Sequence, residues 1–159
     1  MPSVAELPRG ARLGIDWGKA RIGVAACGAG TSFAYPVETV KAGPAAVQRL
    51  AEIVAEYEAP VVYVGLPLNL KGERSFAAQW ALERAAELAE AVPDTHVRLV
   101  DERLSTAAAS RTLSGAGRSQ RSQRQVIDQA AAVDILQRAL DVEQALGELA
   151  GEASGSEES

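Results

Sequence analysis

The hydrophobic and polar positions of this chain follow two different periods, which predicts an α/β domain. From Leu13 to Ala25, apolar residues alternate on both sides of Gly18, and this pattern is typical of two short strands joined by a tight turn. Three later apolar runs predict further strands, namely Ala34–Val40, Val61–Val64 and Val97–Val100. Pro36 lacks a backbone donor, so it favours an edge position for the third strand.

Apolar residues at helical spacing fill the intervals between these strands. They predict helices from Gly43-Pro44 to Pro60, over Arg74–Ala91, over Thr106–Leu113 and over Gln123–Leu146. We therefore expect one domain over residues 12–146, after a flexible leader of residues 1–11. Residues 147–159 are acidic, small and serine-rich, which predicts a disordered tail.

Asp16 is the unusual residue of the first strand. It lies on the same face as Gly14 and Gly18, so nothing bulky flanks its carboxylate along the strand. A charged side chain opposes strand propensity and is costly to bury alone. Asp16 is therefore expected to be paired, coordinated to a metal, or solvated as the cap of the turn.

Two further acids follow other predicted elements. Glu102 comes after the strand Val97–Val100, next to Asp101, and strand alternation lets only one of the two face a site at that edge. The alternative is a surface ion pair with Arg103. Asp128 lies on the final helix, on the apolar face of Ala132, Ile135 and Ala139. It either faces the sheet or stabilises the helix N-terminus through the dipole.

Composition narrows the chemistry that these residues can support. Hydrophobic residues make up 47% of the 159 residues but aromatic residues only 4%, so the core must consist mainly of Ala, Val, Leu and Ile. The chain has one histidine, His96, and one cysteine, Cys27, so neither a zinc site built from His and Cys nor a serine triad is expected. We expect Cys27 to be a small apolar strand residue. Hydrolytic chemistry would then depend on carboxylates and a hard metal ion.

Charge and hydropathy bear on partners and location. No apolar run approaches membrane-spanning length and the N-terminus is polar, so a cytoplasmic protein without membrane contact is expected. Much of the net charge of −5 comes from the acidic C-terminal segment, whereas residues 103–127 contain arginines and no acidic residue. This basic segment is either a phosphate-binding face or a solvated loop.

Four segments together resemble the YqgF family, also called RuvX, of RNase H-like nucleases. They are GIDWGKARIGVA at 14–25, GLPLNLKG at 65–72, VDERLSTAAA at 100–109 and IDQAAAVDILQ at 127–137. The resemblance implies an RNase H-like fold, a five-stranded mixed sheet flanked by helices. It places the catalytic and metal-binding acids at Asp16, Glu102 and Asp128, with two Mg²⁺ or Mn²⁺ ions. The residues expected to bind nucleic acid are Lys19, Arg21, Arg103, Arg118, Arg121 and Arg124.

The implied function is metal-dependent cleavage of nucleic acid, chiefly at the 5′ end of the small-subunit (16S) ribosomal RNA precursor. Ribosomal assembly intermediates would then be partners, and the protein a monomer or homodimer. A resolvase of four-way DNA junctions and a non-catalytic RNA-binding or ribosome-associated factor remain alternatives. Sugar kinases and actin-like ATPases share the opening strand-turn-strand, but they enclose a nucleotide between two such domains. One departure from the family is that Asn69 and Lys71 stand where relatives usually carry an acid before Gly72.

Overall fold

The structure is a computed structural model that describes residues 7–67, 76–101 and 120–154, with the backbone alone for residues 120–128. Its strands are β1 (Arg12–Trp17), β2 (Arg21–Cys27), β3 (Tyr35–Lys41), β4 (Val61–Leu66), β5 (His96–Asp101) and β6 (Glu152–Ala153). Its helices are α1 (Ala46–Tyr57), α2 (Phe76–Ala91) and α3 (Gln120–Leu146). The predicted helix Thr106–Leu113 lies outside the described residues.

The strands form one mixed sheet in the order β3-β2-β1-β4-β5-β6. β1, β2 and β3 are successively antiparallel, whereas β1, β4 and β5 run parallel. The mixed sheet with flanking helices confirms the predicted fold class, and β3 lies at an edge as Pro36 indicated. The parallel strands end at one edge of the sheet, which is where sites of α/β proteins usually form.

The sheet has one strand more than the five expected. β6 pairs antiparallel with β5 and comes from residues for which the sequence predicted disorder. The Arg98 guanidinium donates to the carbonyl oxygens of Ala150 (2.9 Å) and Gly151 (2.6 Å), and the Ser154 amide donates to Val97. Backbone pairing with an open sheet edge requires no apolar side chains, so the acidic composition did not reveal this strand.

The two faces of the sheet bury different helices. Leu13, Ile15 and Trp17 point toward α1 and α2, as their alternation predicted. The other face packs on α3, where Ala132, Ile135 and Ala139 are buried. Cys27 is also buried, which confirms its interpretation as a strand residue. No helix within the described ranges is long and apolar enough to cross a membrane.

Gly14 allows α3 to lie directly on β1. A Cβ atom at this position would come within 2.6 Å of the Leu136 Cβ and 2.9 Å of the Ala132 carbonyl oxygen, closer than such atoms pack. The bare backbone of Gly14 therefore sets the distance between the helix and the sheet.

A buried polar cluster fixes the other end of α3. Glu143 pairs with the Arg12 guanidinium at 3.0 Å and accepts a hydrogen bond from the Tyr63 hydroxyl. The Ala150 amide donates to the same hydroxyl at 3.2 Å, which connects the segment after α3 to the core. Because these polar groups satisfy one another, the charges can be buried without an unpaired partner.

Candidate active site

Asp16 lies near the end of β1, on the face that α3 covers, and only 7% of its surface is exposed. It pairs in register with Gly23 of β2, which in turn pairs with Thr39 of β3. Side chains in register on neighbouring strands point to the same face. Asp16, Gly23 and Thr39 therefore form one row across the sheet, and Gly23, the neighbour of Asp16 on β2, has no side chain.

The β4 side of Asp16 is equally bare. Ile15 pairs with Val64, so continuing the parallel register places Gly65 beside Asp16. Gly14, Gly23 and Gly65 thus surround the carboxylate along and across the strands. The sequence showed the glycine neighbours within β1, but Gly23 and Gly65 become neighbours only through strand pairing. Gly23 and Gly65 carry no side chain that would block an ion or a phosphate at the Asp16 carboxylate, whereas α3 fills the space over Gly14.

The first turns of α3 reach the same row. The helix runs antiparallel to β1, because Arg12 contacts Glu143 while Gly14 lies against Ala132. The Gln129 side-chain amide donates to the Thr39 hydroxyl at 2.9 Å. Thr39 lies in the same cross-strand row as Asp16. Backbone position 128 lies one helical turn before Ala132 and next to Gln129. The structure therefore brings α3 at this position to the Asp16 row, although it does not describe the Asp128 side chain.

The end of β5 approaches the site from the other side. Gly65 pairs with Val100. Val100 packs against the buried residues on the α3 side of the sheet, whereas Leu99 belongs to the core on the α1 and α2 side. By alternation, Asp101 shares the parity of Leu99 and lies on the face opposite α3. Glu102 itself lies outside the described residues, so its assignment as a ligand stays a prediction.

The surroundings of Asp16 suit a divalent metal ion. A buried carboxylate flanked across the sheet by glycines offers the hard oxygen donor that Mg²⁺ prefers. Among the described side chains, those of residues 7–67, 76–101 and 129–154, no three of His, Cys, Asp or Glu come together as a metal cluster. Of the three predicted ligands, Asp16 is the one whose side chain is described, and it fits.

The predicted nucleic-acid contacts are described only in part. Lys19 and Arg21 belong to the β1–β2 turn, which is closed by a hydrogen bond from the Gly18 amide to the Arg21 carbonyl oxygen. Lys19 is exposed at the edge of the sheet where Asp16 lies. Arg121 and Arg124 lie in the first turns of α3, with backbone alone described. Arg103 and Arg118 fall outside the described residues.

Sequence reasoning missed an aromatic and cationic groove at this edge. It is lined by Trp17, Lys19, Pro44, Trp80, Arg84 and Glu87, and its volume is about 420 Å³. The residues come from β1, the segment before α1 and α2, so no local pattern connects them. A larger cavity of about 620 Å³ lies at the opposite end of the sheet, near Pro8, Arg12 and Glu143, and is remote from Asp16.

Two solved structures share this fold. A Thermus thermophilus RuvC structure described as "in complex with Holliday junction substrate" superimposes with a TM-score of 0.56 at 18% identity, over 91% of this chain and 98% of that one. A second RuvC structure from the same organism gives a TM-score of 0.50 at 19% identity, with the same coverage. The fold is RNase H-like.

The sequence matches one family over most of its length. The family is described as "RuvX: Holliday junction resolvase" and matches residues 10–142, so the chain belongs to the RuvX family. A Cutibacterium acnes relative is 54% identical over 132 residues, covering 83% of this chain and 82% of the relative. A Nocardia farcinica relative is 49% identical over 156 residues, covering 93% and 87%. Both relatives carry the name "Putative pre-16S rRNA nuclease". These matches confirm the family resemblance and the nuclease class.

Proposed function

We propose that this nuclease processes the 5′ end of the 16S ribosomal RNA precursor, with Asp16, Glu102 and Asp128 as its metal-binding acids. The observation that carries the proposal is the buried Asp16 carboxylate in its glycine-lined row, at the level that α3 reaches through Gln129. The names of relatives about half identical over most of the chain support the choice of substrate.

The chain's own residues would position the reacting phosphodiester. Two divalent ions, when bound, would stabilise the attacking and the leaving oxygen of the phosphate. Asp16, Glu102 and Asp128 would hold these ions, and the bare backbone at Gly23 and Gly65 would let the phosphate approach the Asp16 carboxylate. Burial under α3 limits water around the carboxylate, which strengthens its electrostatic interactions.

The basic residues would hold the rest of the substrate. In this proposal Lys19 and Arg21 contact phosphates at the β1–β2 turn, and Arg103, Arg118, Arg121 and Arg124 contact phosphates before and along the first turns of α3. Such contacts position a strand without reading its sequence. The setting would be a ribosomal assembly intermediate in the cytoplasm, with the protein acting as a monomer or homodimer.

A resolvase acting on four-way DNA junctions is the second candidate. It is favoured by the description of the matching family and by the similarity of the fold to RuvC. Both substrates require the same acids, so the acids alone do not separate them.

A side-by-side cleavage assay tests the proposal. Purified protein is incubated with a precursor RNA fragment that spans the mature 5′ end, or with a synthetic four-way DNA junction, in Mg²⁺ and in Mn²⁺. We expect RNA cleavage that requires a metal ion and is lost in Asp16→Asn, because the substitution removes a ligand charge while preserving the shape of the side chain. Asp94→Asn is the matched control, since Asp94 is exposed and precedes β5 at the opposite end of that strand.

Three outcomes would contradict the proposed substrate, site or activity. Cleavage of the junction without cleavage of the RNA would favour the resolvase. Full activity of Asp16→Asn would exclude the proposed metal site. Absence of cleavage on either substrate, with retained RNA binding, would instead favour the non-catalytic factor.

A further inference from the structure

The aromatic and cationic groove lies next to Asp16 on the chain but opens on the other face of the sheet. We call it the tryptophan groove and define it by Trp17, Lys19, Pro44, Trp80 and Arg84. Trp17 follows Asp16 directly, and consecutive strand residues point to opposite faces. Lys19 lies in the turn between β1 and β2, at the edge that separates the two faces. A strand of nucleic acid crossing this edge could therefore reach the groove and Asp16 together.

Both tryptophans of the chain lie in this groove. The chain has only two tryptophans, and both line the groove, although the rest of the interior is built mainly from aliphatic side chains. Trp17 is nearly buried, with 8% of its surface exposed, whereas Trp80 is half-buried. Part of the Trp80 side chain thus faces solvent in the groove, in a protein in which aromatic residues are only 4% of the chain.

One cation lies over a groove tryptophan, and a second lies over Phe76, which is outside the groove lining. The Arg84 guanidinium carbon lies 5.5 Å from the centroid of the Trp80 ring, and the Lys19 ammonium lies 5.4 Å from the Phe76 centroid. Glu87 pairs with Arg84 at 2.9 Å, so the charge of this arginine is largely balanced. Lys19 forms no ion pair with a carboxylate among the residues that the structure describes. It is therefore well suited to contact an anion at the rim.

This chemistry matches an unpaired nucleotide. Aromatic surfaces with adjacent cations bind single strands because every base has a π-face to stack and every nucleotide carries a phosphate. A base inside a duplex already stacks on both neighbours, so it cannot enter a groove of about 420 Å³ without unpairing.

We propose that the tryptophan groove binds an unpaired nucleobase of the substrate strand, stacked on Trp80, with a neighbouring phosphate at Lys19. This binding mode rests on the proposed nuclease function and adds that the strand near the cut is single-stranded. The occupant is identified by its base and phosphate, so single-stranded RNA and single-stranded DNA serve as separate arms of the test.

Binding without cleavage tests this inference. A short labelled single strand of RNA, the same sequence as DNA, and a blunt RNA duplex are titrated with protein in buffer containing EDTA, and fluorescence anisotropy is measured. We expect Trp80→Ala to weaken single-strand binding roughly 5- to 150-fold, as loss of one stacked base predicts, and to leave duplex binding unchanged. Trp80→Phe should restore most of the affinity because it retains a ring.

Two further variants provide the controls. Phe33→Ala removes a highly exposed ring at the opposite end of the sheet and should leave binding unchanged. Lys19→Gln alters an exposed side chain, so it should remain folded, and it should lower the salt slope for the single strand by about 0.7 log units. Since both tryptophans line the groove, quenching of intrinsic fluorescence by the single strand reports occupancy directly.

The results separate this inference from the nuclease proposal. If the wild-type protein binds no single strand, or if Trp80→Ala and Lys19→Gln both bind it like the wild type, the inference is wrong and the groove serves another occupant, such as a protein segment. Equal losses for single strand and duplex would also overturn it. Cleavage is measured separately, so an inactive protein that shows the predicted binding losses would refute only the proposed activity.

Discussion

Asp16 carries a charge where a strand would ordinarily bury an apolar side chain. Its neighbours across the sheet, Gly23 and Gly65, carry no side chain, and α3 packs over Gly14 beside it. We propose that α3 contributes a second metal-binding acid. The two candidates, Asp128 and Asp134, lie six positions apart on the helix. They point about 120° apart at 3.6 residues per turn, so they cannot both face one compact site.

We predict that Asp128→Asn lowers metal-dependent cleavage by orders of magnitude, while Asp134→Asn keeps it. Position 128 belongs to the helical face of Ala132, Ile135 and Ala139, which are buried against the sheet. Asp134 lies off this face and four residues before the exposed Arg138. Turnover of both variants, with melting temperature measured without metal to verify folding, checks the prediction. An inactive Asp134→Asn beside an active Asp128→Asn would reverse the assignment.

α3 is the element that relates the site to the rest of the fold. It lies on Gly14 in its middle, contacts Thr39 through Gln129 near its beginning, and is anchored through Glu143 near its end. A displacement at Gly14 would therefore move the first turns of the helix, and position 128 with them, relative to Asp16.

Gly14→Ala tests this dependence on close packing. The added Cβ would lie 2.6 Å from the Leu136 Cβ, so the helix must shift, and we expect destabilisation by about 1–3 kcal/mol. Cleavage should fall even where the variant is fully folded. Gly28→Ala is the matched control, because its nearest contact would be 3.9 Å away, and it should change stability by no more than about 0.5 kcal/mol. Urea unfolding and turnover of both variants measure these effects, and equal stability of the two would contradict the packing argument.

At the scale of the whole molecule, the buried cluster of Arg12, Tyr63 and Glu143 links elements that are distant in the sequence. It connects β1, β4, the end of α3 and the segment that leads to β6. Burial, and then the hydrogen bond to Glu143, raise the pKa of the Tyr63 hydroxyl above its ordinary value. The folded state therefore retains this proton at pH values where the unfolded chain releases it.

This difference predicts an alkaline loss of stability. Above about pH 10 the unfolded state binds fewer protons at Tyr63 than the folded state, so the free energy of unfolding should fall by up to about 1.4 kcal/mol per pH unit. Below that pH the contribution is fully present. Tyr63→Phe should remove this part of the pH dependence, at a cost of about 1–3 kcal/mol at neutral pH for the lost partners of Glu143 and Ala150. Urea unfolding of both proteins across alkaline pH measures the difference, and identical slopes would refute the role of Tyr63.

Residue patterns alone were enough to predict the local elements and the candidate chemistry. The alternation around Asp16 predicted the β1–β2 pair, and helical spacing predicted α1, α2 and the apolar face of α3, because these patterns depend on residues a few positions apart. The four family segments indicated the nuclease class from the order of their residues, and the family match confirmed it.

Which distant residues became neighbours depended instead on tertiary packing. Gly23 and Gly65 flank Asp16 through strand register, and Gln129 reaches Thr39 through the direction of α3. Trp17 and Trp80 line one groove because α2 packs on the sheet. β6 depends on an open edge of β5, so its acidic sequence pointed to disorder instead. Such contacts arise from the packing of whole elements and from backbone hydrogen bonds, and neither leaves a periodic pattern in the local sequence.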